Sequence, residues 1–204
     1  VGSEMCIRDS VWAVLATSAM VLVATPALAG GVGLLLLSKA FGVPFFTPNN
    51  GGNVILWQHL FWFYSHPAVY IMILPGFGII SEIMPVFSRK PIFGYKAIAF
   101  SSLAIALIGF LVWAHHMFSA GIQPWLQVYF MLATMIIAVP TGIKIFSWIA
   151  TMYGGNIRFT TPMLFALGFI STFVVGGITG IMLGAVPVDL HVHNTYFLVA
   201  HLHY

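Results

Sequence analysis

The chain has 204 residues, of which 60% are hydrophobic and only 5% charged, with a mean hydropathy of +1.02. A water-soluble domain carries about 25% charged residues, so this composition excludes an ordinary soluble fold. Seven Lys and Arg against four Asp and Glu leave a net charge of +3, too sparse and scattered for a nucleic-acid surface.

Residues 1–10 stand apart. They hold Glu4 and Asp9, half of the acids, and the only cysteine, Cys6. They lack an initiator methionine and both the basic start and the apolar core of a signal peptide. They read as foreign sequence, leaving 11–204 as the domain proper. With Cys6 set aside, no disulfide or thiolate site is expected.

Five apolar stretches follow, at 11–37, 57–84, 98–118, 125–152 and 163–186. Each is long enough to cross a bilayer, which takes about 20 helical residues. A sixth begins near Thr195 and stops at Tyr204, short of a span. The expected fold is all-α, a polytopic transmembrane helix bundle, and the chain reads as a fragment of a longer protein. Pro26, Pro75, Pro140, Gly176, Gly177 and Gly180 within the spans are tolerable in lipid and permit close helix packing. No internal repeat or low-complexity tract is present.

The connections set the orientation. The segment 41–53 is rich in Pro, Gly and Asn and reads as a turn-forming loop. The loop at 86–97 carries Arg89, Lys90 and Lys96, and that at 154–162 carries Arg158. Both fall on one side, which the positive-inside rule makes the inner side. The outer side holds Lys39, the uncharged loop 119–124, and a polar loop at 187–194 with Asp189, His191 and His193.

Histidine is costly in lipid unless something binds it. Yet His66 lies in the second stretch, His115 and His116 close the third, and His201 and His203 lie in the sixth. At about 1.5 Å per residue, His66 sits about 14 Å and His201 about 10 Å from the outer helix ends, and His115–His116 about 4 Å. All three clusters therefore fall in the outer half of the membrane, as one shared site requires.

Each cluster also has a plainer reading. Adjacent His115 and His116 point about 100° apart on a helix and grip one ion only if the helix end is irregular or one ring reaches around; otherwise they are polar caps. His66 and Tyr70 stack at i and i+4, and Pro67 loosens the helix between them. They are a redox pair or an aromatic packing pair. His201 and His203 point about 200° apart, so one helix can ligate two flat cofactors on opposite sides, as haem iron accepts an axial histidine. Three imidazoles from His66, His115 and His116 suit copper, or zinc on ligand type alone. Lys144 is the one basic residue deep in a span, a candidate for a proton path, with Thr141 a turn away. Ser81 and Glu82 lie near the inner end of the second stretch. Asp189, His193 and Asn194 form either a site for a hard cation or a plain polar loop.

Four stretches, 57–70, 113–118, 134–144 and 193–203, together resemble subunit I of the haem–copper terminal oxidases. The similarity runs from about Val21 to Tyr204. It implies a fold of about twelve transmembrane helices, of which this chain covers the fifth to the start of the tenth. It implies that His66, His115 and His116 bind copper and that Tyr70 is cross-linked to His66. His201 would ligate the oxygen-binding haem and His203 the electron-donating haem, both of a-type. Lys144, Thr141, Ser81 and Tyr70 would line an inner proton path, and Asp189 would lie near the haem propionates. His193 and Asn194 would mark a magnesium site, although many members carry aspartate where Asn194 stands and Asn is the poorer ligand for a hard cation. Many members also carry glutamate where Ala68 stands. Here Tyr64–Ser65 precedes His66, as in the subgroup where this pair takes over the proton relay.

The implied parent reduces O2 to water with electrons from cytochrome c, coupled to proton translocation. It would do so beside a copper-bearing subunit II and a subunit III. It would sit in a bacterial plasma membrane or the mitochondrial inner membrane. The fragment alone should not hold both haems or turn over. Alternatives are a quinol oxidase of the same fold, a transporter or channel with a proton relay, and the product of a pseudogene. A nitric oxide reductase fits less well, because of the His-Pro-x-x-Tyr unit.

Overall fold

The computed structural model describes residues 8–204. Most of the segment set apart above, Cys6 included, lies outside the described residues, while Asp9 and Ser10 open the first helix. The described residues fold into α1 (Asp9–Phe41), α2 (Val54–Ser88), α3 (Tyr95–Gly109), α4 (Pro124–Met152), α5 (Thr161–Gly184), α6 (Val186–Val192) and α7 (Tyr196–His203), with no strand among them.

The long helix α2 is the axis of the bundle. Its 35 residues run about 53 Å, well beyond the hydrocarbon thickness. Asn53 starts it by accepting a hydrogen bond from the Leu56 amide at 3.1 Å. Pro67, Pro75 and Pro85 lie inside it, each removing one backbone donor. Helix α1 runs antiparallel against it. At the inner end Gly78 lets the backbones approach, since a Cβ there would lie 2.8 Å from the Cα of Ser10. The Ser10 hydroxyl meets the Glu82 carboxylate nearby. At the outer end the Trp57 indole donates to the Gly31 carbonyl at 2.9 Å. The core between α2, α3, α4 and α5 is built on fully buried Leu74, Met84, Ile105, Trp148 and Met163.

Four helices, α1, α2, α4 and α5, are long and apolar enough to cross a membrane, and the chain is multi-pass. The third expected span, 98–118, is not one helix. Its α-helix stops at Gly109, after 15 residues, and the chain re-forms as a 3-10 turn over Trp113–Met117. Packing drives the break. Ala114, Met117 and Phe118 are buried with Ile122 and Phe130, and the Trp113 indole donates to His59 Nδ1 at 3.1 Å. The outer loop 187–194 also differs from expectation. It is mostly the short helix α6, begun by Pro187 in its first turn and supported by Asp189 near its N-terminus.

On the inner side, Lys90 donates to the carbonyls of Ala150 at 2.9 Å and Tyr153 at 2.6 Å. These are orphan acceptors at the end of α4, so the lysine closes that helix.

Candidate metal centre

The 3-10 turn brings the adjacent histidines to face α2. His66, His115 and His116 form the one group of three metal-ligating side chains found among the described residues, their nitrogens all within 4.8 Å of one another. His66 Nδ1 lies 3.1 Å from His116 Nε2, and His115 Nε2 lies 3.1 Å from the same atom. Of the two ways the sequence left open for the pair to share an ion, the 3-10 turn is the irregular helix end.

The hydrogen bonds around the cluster decide which nitrogens carry lone pairs. The Thr134 hydroxyl donates to the Phe130 carbonyl at 2.5 Å, so its oxygen accepts from His115 Nδ1 at 2.8 Å. That fixes the proton of His115 on Nδ1 and leaves Nε2 as a bare lone pair aimed into the cluster. One proton on His116 Nε2 serves one neighbour well, whereas a cation serves all three nitrogens. Tetrahedral ligands about 2.0–2.1 Å from an ion stand about 3.3 Å apart, close to the two 3.1 Å separations from His116 Nε2. The donor set, three nitrogen atoms and no carboxylate, fits copper or zinc and disfavours a hard cation.

Aromatic rings hold the cluster from α2. Trp62 stacks flat on His116, with centroids 3.9 Å apart and planes 8° from parallel. Tyr70 meets His66 edge to face at 4.6 Å. Trp62, His66 and Tyr70 recur every fourth residue and so share one face of α2. His66 is buried, and its outward Nε2 has no hydrogen-bond partner. Tyr64 and Ser65, directly before His66, are half-buried.

Thr134 was not singled out from the sequence, because a threonine in an apolar helix ordinarily bonds its own i−4 carbonyl. It does so here and still orients a ligand. Thr134→Val in the full-length parent keeps the volume and removes the acceptor. The expected result is metal affinity 10–100-fold weaker, the usual cost of losing a ligand's outer partner, read as bound metal against a competing chelator. Unchanged retention would dismiss the residue from the site.

The remaining candidates distribute as follows. His201 Nδ1 donates to the Gly176 carbonyl on α5 at 2.8 Å, and His203 Nδ1 donates to the Val199 carbonyl at 2.7 Å. A carbonyl only accepts, so both rings present Nε2 as a free lone pair, the state an iron ligand needs. His201 faces α5, while His203 lies exposed. Lys144 is buried, and its ammonium donates to Ser102 Oγ at 2.7 Å and to the Ile98 carbonyl at 3.1 Å, both on α3. Ser102 was not read from the sequence, since the packing of α3 on α4 selects it. Thr141 donates to Ile137, and Ser81 accepts from the Trp148 indole, so these three polar groups bond elsewhere rather than to one another. Asp189 is buried and accepts from His193 Nδ1 at 2.8 Å. Burial raises its carboxyl above the usual range, partly offset by the hydrogen bond and charge of His193. Asn194 is exposed beside them.

Comparison with known proteins adds to this geometry. The family model described as cytochrome c and quinol oxidase polypeptide I matches residues 4–204. A relative from Thermostichus vulcanus named cytochrome c oxidase subunit 1 is 61% identical over 193 residues, covering 95% of this chain and 35% of its own length. Relatives of the same name from Cereibacter sphaeroides and Bacillus subtilis are 54% and 52% identical, with 95% of this chain covered and 34% and 31% of theirs. The chain thus spans about a third of these relatives. A solved structure described as a haem–copper terminal oxidase dimer superposes with a TM-score of 0.81 at 23% identity, over 98% of this chain and 38% of that one, a likeness of fold.

Proposed function

Because this chain belongs to the cytochrome c and quinol oxidase polypeptide I family, we propose that it is part of the catalytic subunit of a respiratory oxidase that reduces O2 to water. The electrons would come from cytochrome c through a copper-bearing subunit II, with a subunit III alongside. The membrane would be a bacterial plasma membrane or the mitochondrial inner membrane. The reading rests on one observation above others: three imidazoles from two elements converge within 4.8 Å.

In this proposal His66, His115 and His116 hold copper, His201 holds the oxygen-binding haem and His203 one side of the electron-donating haem, both a-type. When bound, iron and copper supply electrons to oxygen. The chain's own residues do the rest. Thr134 fixes the His115 tautomer. Tyr70, cross-linked to His66 in the mature parent, gives a proton and an electron at its phenol oxygen. The unpartnered Nε2 of His66 and the edge-to-face approach of Tyr70 support that pairing. Lys144, with Thr141 and Ser81, moves protons from the inner side, because bare charge does not cross lipid. Its two partners on α3 hold the ammonium in a desolvated place, where an unpaired cation would be costly. Tyr64 and Ser65 relay the protons that are pumped, taking the part of the glutamate that Ala68 replaces. Asp189 stands by a haem propionate, and His193 with Asn194 marks a magnesium site.

The test is the full-length gene expressed in membranes. The expected results are two sets of haem bands in a reduced-minus-oxidised spectrum, one copper per protein at the three-histidine site, and oxygen uptake with reduced cytochrome c. Uptake with quinol alone would reassign the donor. Absence of haem bands would overturn the oxidase reading in favour of a transporter. The relay is tested separately, in vesicles. Tyr64→Phe with Ser65→Gly is expected to lower the proton-to-electron ratio more than Ala68→Gly does, and equal ratios would reject it.

A further inference from the structure

We propose that Gly180 is a positioning residue for His201: the side chain it lacks is the space in which that imidazole sits. The proposal rests on the assignment of His201 to a haem iron and deepens it. A Cβ built at Gly180 would lie 2.8 Å from His201 Cε1, 3.5 Å from Nδ1 and 3.7 Å from Nε2. Carbon atoms in contact prefer about 3.5–4.0 Å, so the methyl of alanine cannot coexist with the ring as placed.

The ring has little freedom to give way. Its Nδ1 donates to the Gly176 carbonyl at 2.8 Å, and the Thr179 hydroxyl lies 3.2 Å from the same nitrogen. That hydroxyl's own hydrogen is committed to the carbonyls of Gly176 or Val175 at 2.9 and 3.1 Å. Gly176, Thr179 and Gly180 stand at i, i+3 and i+4, one face of α5. The carbonyl fixes the rotation of the ring, the hydroxyl flanks it, and the bare Cα of Gly180 sets its depth. The backbone of α7 is close as well: a Cβ at Gly176 would lie 3.2 Å from Tyr204 Cβ and 3.6 Å from the His201 carbonyl. Gly168 and Gly177 on the same helix meet nothing within 4 Å, so the crowding belongs to this face and not to glycines of α5 in general. Cε1 lies between the two ring nitrogens. A methyl pressing there shifts Nδ1 off its carbonyl and Nε2 off its line together.

The experiment uses the full-length parent in membranes, as wild type, Gly180→Ala, His201→Ala and the double variant. The iron–histidine stretch of the reduced oxygen-binding haem is read by resonance Raman. The absorbance of the electron-donating haem reports assembly. For Gly180→Ala the stretch is expected to shift, or retention of the oxygen-binding haem to fall at least about fivefold as in other overpacked sites, with the other haem kept. An unchanged stretch at full retention overturns the proposal. Should Gly180→Ala lower both haems, the double variant decides. With the ring absent the methyl is expected to do no harm beyond His201→Ala alone, and an equal proportional loss with and without the ring overturns the proposal. Failure of the functional reading itself looks different: wild type would show no haem bands, and the inference would fall with it.

Discussion

His116→Ala in the full-length parent is expected to yield an assembled protein that retains haem but lacks the copper of the three-histidine site, with oxygen uptake lost. His116 is the hub of the cluster, since its Nε2 is 3.1 Å from a nitrogen of each other histidine. Loss of an outer partner costs 10–100-fold in metal affinity, and loss of the ligand itself costs more. The ring also lies flat on Trp62, so the alanine leaves a gap rather than a substitute ligand. Copper analysis of the purified protein is the check. A wild-type copper content would remove the three-imidazole site from the account.

His201→Ala is the second large effect. The alanine removes the imidazole whose Nδ1 is held by the Gly176 carbonyl, and with it the ring's other nitrogen, Nε2. The expected outcome is loss of the oxygen-binding haem and of oxygen uptake, with the electron-donating haem kept through His203 on the other side of α7. The two are separable because a step of two residues turns a helix by about 200°. A variant that respires normally would contradict the assignment.

Much of this architecture was legible from hydropathy. The spans begin and end within a few residues of expectation, and the misses have causes. Helices α1 and α2 run past the apolar stretches to Phe41 and Ser88, because a helix leaving the bilayer continues as long as its caps allow. The break after Gly109 was invisible. Trp113–Met117 is apolar enough to extend the count, and hydropathy reports composition rather than dihedral angles. The loop at 187–194 became α6 because Pro187 and Asp189 act as local start signals that a polarity reading overlooks. The histidines stood out because ionisable groups are rare in lipid. Their supports did not. Thr134 is 19 residues from His115, and Gly180 is 21 from His201, so only tertiary packing reveals either pairing. Ser102, which accepts from the Lys144 ammonium, was not legible either, since only the packing of α3 on α4 brings the two together.

The 3-10 turn has a mechanical consequence. His115 and His116 are neighbours on one short 3-10 turn, so the gap between their backbones is set locally. Trp62, His66 and Tyr70 form a second rigid rack along α2. An axial displacement of α2 against the turn would carry His66, the Trp62 platform under His116 and the Tyr70 phenol together.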